Sequence, residues 1–408
     1  MSQPRLLSFT LDNWTALGGR VSVSLVDRVA VLVGRNGAGK SAILEGFEAI
    51  SSCAIGRTNR RLSRDNDSIP RMLEIEILTP SERHLRYQYE LIISPTFIED
   101  SDFTELDESD NDNVEENSFS WNECCQYLDG KQEFLWETQA GITTLHNSEN
   151  PIITILGNMT SLRQSNLPEN SQLKLPVEMQ WVYAVLKGVR ILGKASIRQT
   201  LRRRPSFLKV SSKGISSGIS GLADSLTRKV IRRIEKNKED LDELENVCQR
   251  VGLGNKITVQ KFVLSEESLD KKTFVDEEYV SSVLLDGVNF GLLSEGTLRV
   301  LSIIIEIISP YPNATTILEE PETQIHPLML EKLLNELETY TFEDNLILST
   351  HSPQVVAWTI PERIHLVYRK TGRTTVRKLQ EEEIEKVVAY LSEEGDLGDW
   401  LYSGILDE

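Results

Sequence analysis

The sequence predicts an α/β fold with a mixed sheet that is interrupted by a helical insertion, and three observations support this. Near the start, the apolar run Val29–Val33 leads into a glycine-rich loop and then into residues 41–50, whose apolar positions have helical spacing. A short run without polar residues is typical of a strand buried on both faces. Two further short apolar runs, 315–318 and 345–349, occur far downstream, and the intervening residues 176–250 are mostly helical in pattern.

The remaining pattern divides the chain into three predicted regions. Strands are predicted at 6–11, 20–25, 73–78, 84–93, 134–138 and 279–285, and helices at 177–192, 222–251, 294–308, 328–339 and 381–390. Residues 1–160 are predicted to form the first half of an α/β core, and residues 276–408 the second half. Residues 161–275 are predicted to form a helical, basic insertion or lid.

The composition predicts a globular protein of the cytoplasm. Of 408 residues, 39% are hydrophobic and 26% are charged. No apolar run approaches the roughly 20 residues that a membrane-spanning helix needs, and the N-terminal residues lack the apolar stretch of a secretory leader. The four cysteines have no C-x-x-C spacing, which favours free thiols in a reducing compartment.

Residues 34–41 form a glycine-rich loop of the pattern G-x-x-x-x-G-K-S between a predicted strand and a predicted helix. Backbone N–H groups of such a loop point at phosphate oxygens, and the helix N-terminus adds a positive dipole end. The lysine would reach the β- and γ-phosphates, and the serine hydroxyl would ligate Mg²⁺. The predicted nucleotide-binding residues are Gly34, Arg35, Asn36, Gly37, Ala38, Gly39, Lys40 and Ser41.

Two carboxylates, Glu319 and Glu320, follow the apolar run at 315–318. The carboxyl ends of parallel strands face the ligand crevice in open α/β sheets. We expect Glu319 to hold Mg²⁺ and Glu320 to polarise the water that attacks the γ-phosphate. The alternative is an ordinary pair of acids at a strand end.

Two more elements could contact phosphate. Ser294, Glu295 and Gly296 stand at the start of a predicted helix, where a hydroxyl and free N–H groups suit an anion; the alternative is a plain N-cap. His351 follows the apolar run at 345–349 and could contact the γ-phosphate.

Together these motifs resemble those of the ABC ATPases, in the order Walker A, signature, Walker B with a catalytic glutamate, and switch histidine. The sequence Glu-Glu-Pro-Glu at 319–322, with Ile-His-Pro at 325–327 and Ser-Thr-His-Ser-Pro at 349–353, resembles the SMC-like and OLD-type branch. That branch includes many bacterial anti-phage defence ATPases. OLD-type nucleases carry a TOPRIM nuclease domain, and we expect this chain to lack one after His351.

The resemblance implies a mechanism in which two heads enclose two ATP molecules. Ser294, Glu295 and Gly296 would then act in trans on nucleotide held by Lys40 and Ser41 of the partner copy. Dimerisation would depend on ATP, because the phosphates form part of the interface. Relative to transporter-type members, the chain has Glu319 in place of an aspartate and Glu295 in place of a glycine.

Charge is unevenly distributed along this chain of net charge −18: residues 100–116 hold nine acids and no base, and residues 187–238 hold fifteen Lys or Arg and two acids. Basic residues at close or helical spacing would suit a nucleic-acid backbone or a partner protein. A solvated helix face, or pairing with the acidic segment, is the alternative. The named candidates are Arg202, Arg203, Arg204, Arg228, Arg232 and Arg233.

These observations favour an ATP-dependent dimer that acts as a sensor or scaffold for a separate, nuclease-like effector in anti-phage defence. The second interpretation is a DNA-binding ATPase of the SMC-like repair type, in which DNA stimulates hydrolysis. A transporter motor is the third, and the Glu-Glu-Pro-Glu and Ile-His-Pro elements argue against it.

Overall fold

A computed structural model describes residues 3–57, 69–95, 117–129, 133–139, 142–146, 152–154, 160–165, 175–192, 205–211, 214–216, 222–236, 239–264, 278–308 and 313–393. Three sheets and the helices packed on them make up this part of the chain. No described helix is long and apolar enough to cross a membrane. The predicted acidic segment 100–116 and the candidates Arg202, Arg203 and Arg204 lie outside the described residues.

The central sheet has six strands, and it carries the predicted nucleotide site. Its order is β10-β16-β17-β3-β18-β19, and every neighbouring pair is parallel except the hairpin of β18 and β19. The strands are β3 (Val29–Val33), β10 (Val189–Leu192), β16 (Thr315–Glu319), β17 (Asn345–Thr350), β18 (Ile364–Lys370) and β19 (Arg373–Lys378). All five residues of β3 are buried, as expected for a strand covered on both faces.

The second sheet is antiparallel throughout and has the order β2-β1-β4-β5-β6-β7-β8-β9. Its strands are β1 (Arg5–Asp12), β2 (Val21–Ser24), β4 (Met72–Leu78), β5 (His84–Pro95), β6 (Asn117–Tyr127), β7 (Glu133–Gln139), β8 (Ile142–Leu145) and β9 (Ile152–Thr154). Buried and less buried residues alternate along β4, which is typical of a sheet with one face on the core.

A third, smaller antiparallel sheet has the order β12-β11-β14-β13, with a short strand β15 paired to β14. Its strands are β11 (Leu208–Ser211), β12 (Gly214–Ser216), β13 (Ile257–Leu264), β14 (Glu278–Leu285) and β15 (Val288–Asn289).

Nine helices lie within the described residues, and they pack against two hydrophobic cores. They are α1 (Lys40–Ala54), α2 (Ser161–Ser165), α3 (Val177–Lys187), α4 (Leu222–Lys236), α5 (Glu239–Val251), α6 (Glu295–Ile307), α7 (Pro327–Tyr340), α8 (Pro353–Trp358) and α9 (Glu381–Glu393). The first core joins α1 to the antiparallel sheet, where the rings of Phe9 and Phe47 stack with centroids 3.9 Å apart. The second core unites α4 to α7 with the other face of the central sheet.

The predicted α/β class with a mixed sheet is confirmed by this architecture. The region 161–275, predicted to be helical, contains helices α2 to α5 but also strands β10 to β13. The predicted helix over 177–192 is wrong in its last part: α3 ends at Lys187 with Gly188 as its C-cap, and β10 follows and pairs with β16 in the central sheet. The domain boundaries themselves stay a prediction.

Candidate nucleotide-binding site

The glycine-rich loop at 34–41 joins the end of β3 to α1, and two of its glycines are required by close packing. A Cβ atom on Gly34 would lie 2.1 Å from the carbonyl oxygen of Val367 in β18. Gly39 has φ +107°, a left-handed conformation, and a Cβ there would lie 2.5 Å from Oγ1 of Thr374. That hydroxyl donates to the carbonyl of Ala38 at 3.1 Å, so the β18–β19 hairpin buttresses the loop.

The Lys40 side chain folds back against the first residues of the loop at 34–41. Its Nζ donates to the carbonyl oxygens of Gly34, at 2.6 Å, and of Arg35, at 3.2 Å. Burial lowers the pKa of Lys40, and the nearby carboxylates of Glu320 and Glu322 oppose that effect. Ser41 is exposed one residue further along, in the first turn of α1. The ammonium group is therefore held beside the loop carbonyls and close to acids from a distant part of the sequence.

The predicted motifs meet at one edge of the central sheet, because β16, β17 and β3 are parallel neighbours that end together. Glu319 pairs with Ser349, and Thr350 pairs with Val33, the last residue before the loop. Strand pairing thus brings Glu319, Glu320 and His351 next to the loop at 34–41. This is the edge at which open α/β sheets bind their ligands.

His351 lies between two carboxylates. Its Nδ1 is 3.3 Å from Oε1 of Glu320 and 3.4 Å from Oε1 of Glu322. A carboxylate offers only acceptors, so the contacts place the proton of a neutral imidazole on Nδ1 and leave Nε2 as the acceptor; this tautomer is assigned from the geometry. The side chains of His351 and Glu320 are 46% and 38% exposed, so both reach the surface of the site.

Glu322 was not predicted as a site residue, although it is the most buried carboxylate in contact with the histidine. Its side chain is 11% exposed. Its Oε1 accepts from the Thr350 hydroxyl at 2.7 Å and from the backbone N–H of His351 at 3.1 Å. Glu322 is the last residue of the Glu-Glu-Pro-Glu sequence, and its position in that motif could have indicated that it belongs to the site. Glu322 therefore ties the turn after β16 to the end of β17.

The backbone at Glu320 has φ +42°, a left-handed conformation that is uncommon for a residue with a side chain. Its N–H donates to the carbonyl of Ser349 at 2.9 Å, and its own carbonyl accepts from the N–H of Thr323 at 3.0 Å. Nη2 of Arg299, on α6, donates to the carbonyls of Glu319 and Glu320 at 2.7 and 2.9 Å. Four hydrogen bonds thus hold the turn that carries the proposed catalytic carboxylate.

The predicted signature residues form the start of α6. Ser294 is the N-cap, and its hydroxyl oxygen accepts from the N–H of Thr297 at 3.1 Å. A Cβ on Gly296 would lie 2.2 Å from the carbonyl oxygen of Gln324, and Gln324 Nε2 donates to the Glu295 carboxylate at 3.4 Å. Within one chain, the signature residues therefore pack against the turn that follows Glu320.

The oxygen donors near the loop fit Mg²⁺. Ser41 offers a hydroxyl at the start of α1, and Glu319 offers a carboxylate at the end of β16. Among the described residues, no group of three or more His, Cys, Asp or Glu is arranged to hold a metal. Mg²⁺ is usually bound through one or two carboxylates together with substrate phosphates, and it does not need an all-protein cage.

Of the predicted basic residues, those on α4 differ in their contacts. Arg233 donates to the carbonyls of Ile305 and Ile308 at the end of α6, and its Nε pairs with Asp240 at 3.0 Å. Its side chain is only 13% exposed, so it serves internal contacts. Arg232 is exposed, and Arg228 is half-buried.

Comparison with protein-family models finds a match over part of the chain. Residues 196–357 match the family model described as "AAA domain, putative AbiEii toxin, Type IV TA system". This range includes Glu319, Glu320 and His351, while the loop at 34–41 lies outside it. No curated protein matches the chain significantly.

Among solved structures, the chain is similar to several SMC heads. With the head bound to the C-winged helix domain of ScpA, it shares 13% identity over 93% of this chain and 99% of that chain, with a TM-score of 0.45. With the SMC head domain from Thermotoga maritima, it shares 13% identity over 92% of this chain and 99% of that chain, with a TM-score of 0.41. With the head from Pyrococcus furiosus, which is bound to the C-terminal domain of ScpA, it shares 13% identity over 96% of this chain and 100% of that chain, with a TM-score of 0.44. These likenesses are distant, so the function proposed below rests on the site.

Proposed function

We propose that this protein binds and hydrolyses ATP with Mg²⁺ and that two copies close around the nucleotide. The observation that carries the proposal is the meeting of Lys40, Glu320 and His351 at one edge of the central sheet. These residues are far apart in sequence, and each has the chemistry that one step of phosphoryl transfer needs.

Each residue has a distinct task in this proposal. The loop N–H groups and Lys40 bind the β- and γ-phosphates, after Nζ exchanges its loop carbonyls for phosphate oxygens. Ser41 and Glu319 hold Mg²⁺, which would neutralise charge that develops on the phosphates. Glu320 accepts a hydrogen bond from the attacking water and polarises it. His351, with its proton on Nδ1, donates to Glu320 and Glu322 and orients the Glu320 carboxylate.

The dimer supplies the remaining contacts. Ser294 is exposed at the N-terminus of α6, where the helix dipole favours an anion. By resemblance to the ABC ATPases, Ser294 and Gly296 meet the nucleotide held by the partner copy. Because ATP then contributes to the interface, the dimer forms only when the nucleotide is bound.

We further propose that the closed dimer controls a separate effector of nuclease type in anti-phage defence. The family description, which refers to a putative toxin of a type IV toxin–antitoxin system, supports a role in conflict between genetic elements. A switch of this kind needs a long-lived ATP-bound state, so slow hydrolysis is expected.

A second candidate function is a DNA-binding ATPase of the SMC-like repair type, and Arg232 favours it. This residue is exposed on α4, one position before the internally bonded Arg233. If DNA binds here, it should raise the hydrolysis rate, and Arg232→Ala should remove that stimulation. If the dimer instead controls an effector, DNA should change the hydrolysis rate of neither the wild type nor Arg232→Ala.

The proposal is tested by measuring mass in solution, with and without ATP and Mg²⁺, for the wild type and for Glu320→Gln. The variant should lose hydrolysis and accumulate as an ATP-dependent dimer, because it binds nucleotide but cannot polarise water. Glu362→Gln is the matched control, since Glu362 is an exposed acid outside the site. A variant that still hydrolyses ATP, or a mass that ignores nucleotide, would refute the proposed mechanism.

A further inference from the structure

Arg299 is half-buried near the carboxylates of the site, and the proposed function gives it no role in binding ATP, Mg²⁺ or the partner copy. It lies on α6, in the second turn after the N-cap Ser294. Burial lowers the pKa of its guanidinium, and the carboxylates of Glu322, Glu320 and Glu319 oppose that effect. Burying a cation is costly unless it is paired and hydrogen-bonded. The hydrogen bonds of Arg299 to the carbonyls of Glu319 and Glu320 offset this cost.

Those contacts depend on the unusual backbone at Glu320. In an extended strand, successive carbonyls point in opposite directions, so one donor cannot reach both. The left-handed φ of Glu320 turns the chain sharply, and the carbonyls of Glu319 and Glu320 both accept from Nη2 of Arg299. The guanidinium can make this pair of bonds only while the turn is formed.

We propose that Arg299 is a positioning residue that locks the Glu319–Glu320 turn and thereby aims the Glu320 carboxylate at the attacking water. This rests on the proposed ATP hydrolysis and deepens it. A residue in a sparsely populated backbone conformation persists only when its surroundings over-determine it. Arg299 supplies two of the four hydrogen bonds that do so, and both of its bonds are to main-chain carbonyls rather than to the Glu320 carboxylate.

The same helix also carries the signature residues. Gly296 packs on the carbonyl of Gln324, and Arg299 binds the carbonyls of Glu319 and Glu320. The first two turns of α6 therefore contact both ends of the turn at 319–324. A shift of α6 when Ser294 meets the partner's nucleotide would reach Glu320 through Arg299.

The chain offers a matched control for this arginine. Arg233 also donates to two main-chain carbonyls of α6, those of Ile305 and Ile308, but at the end of the helix away from the site. Both substitutions, Arg299→Leu and Arg233→Leu, remove a half-buried cation and two hydrogen bonds to main-chain carbonyls. Arg233→Leu also removes the ion pair with Asp240. Only Arg299→Leu should disturb Glu320.

The test measures ATP affinity with a fluorescent ATP analogue, the steady-state hydrolysis rate, and the thermal midpoint of unfolding. Arg299→Leu should lower kcat by about 100-fold, the effect of a misplaced catalytic group, while ATP affinity changes by less than about 3-fold. Arg233→Leu should lower the thermal midpoint similarly and keep kcat within about 3-fold of the wild type. Arg299→Lys retains the cation and should recover part of the lost rate, and it serves as the test variant if the leucine variant does not fold.

A double variant shows whether the effect passes through Glu320. In single-turnover measurements, Arg299→Leu combined with Glu320→Gln should be no slower than Glu320→Gln alone. The inference is overturned if the double variant is slower again, if both arginine variants lose kcat equally, or if the loss follows ATP affinity. A wild type that does not hydrolyse ATP would overturn the proposed function together with this inference. An active wild type with an unaffected Arg299→Leu would overturn the inference alone.

Discussion

The replacement Glu322→Gln should slow ATP hydrolysis while leaving ATP bound, because Glu322 contacts His351 and Thr350 and is not among the residues proposed to bind ATP or Mg²⁺. The carboxylate accepts from the Thr350 hydroxyl and from the His351 N–H, and its Oε1 is 3.4 Å from Nδ1. Glutamine has the same shape but no charge. Hydrogen bonds to a charged group contribute about 1.5–3 kcal/mol, and neutral ones contribute about 1 kcal/mol. The loss is therefore about 0.5–2 kcal/mol for each hydrogen bond, and if one such loss falls wholly on the transition state, kcat drops by about 2- to 30-fold.

The assay compares kcat and ATP affinity of Glu322→Gln with those of Glu338→Gln. Glu338 is a suitable control because it also accepts from a basic group, Arg363 Nη1 at 2.8 Å, but its side chain is 42% exposed and outside the site. A surface pair of this kind contributes less than about 1 kcal/mol. The reasoning is refuted if the two variants have the same kcat, or if Glu322→Gln loses ATP affinity in proportion to its rate.

Two further predictions concern folding. Gly34→Ala should abolish ATP binding and lower the thermal midpoint of unfolding by several degrees, because its Cβ would lie 2.1 Å from the Val367 carbonyl oxygen. Gly37 has φ +80° but open space around it, so Gly37→Ala should lower the free energy of unfolding, measured by denaturant titration, by only about 1 kcal/mol. His365 has a pKa lowered from 6.5 to about 4, first by burial, so the folded chain keeps it neutral while the unfolded chain protonates below pH 6.5. Stability relative to His365→Gln should thus be full above pH 6.5 and fall by up to about 3 kcal/mol between pH 6.5 and 4, and a pH-independent difference would contradict this.

The sequence predicted those parts of the site that follow from strand order and local motif. The loop at 34–41 has a fixed spacing and lies between a buried strand and a helix, both of which the structure contains. The short runs before Glu319 and His351 are the buried strands that were predicted, and parallel pairing brings their ends together. Where a short strand follows a helix without an apolar run, as in β10, periodicity could not distinguish it from a continuing helix.

The contacts of Arg299, Glu322 and Arg233 could not be predicted, because each depends on which groups meet in three dimensions. Helical spacing placed Arg233 among the predicted basic residues, yet main-chain carbonyls at the end of α6 accept its hydrogen bonds. Arg299 bonds to carbonyls whose direction is set by one left-handed φ. Neither a charge pattern nor a motif encodes the direction of a carbonyl group.

The central sheet forms the wall between the two hydrophobic cores, and this explains why the site depends on the whole fold. Along β3, Ala30 and Leu32 pack into the core with α1, while Val29, Val31 and Val33 pack into the core with α6 and α7. Because the loop at 34–41 continues from that strand, neither core alone can position it. A nucleotide that contacts the loop, Glu320 and His351 at once would bind only when both cores are formed. ATP should therefore stabilise the chain as one cooperative unit, by RT ln(1 + [ATP]/Kd), and should delay the unfolding of both cores together.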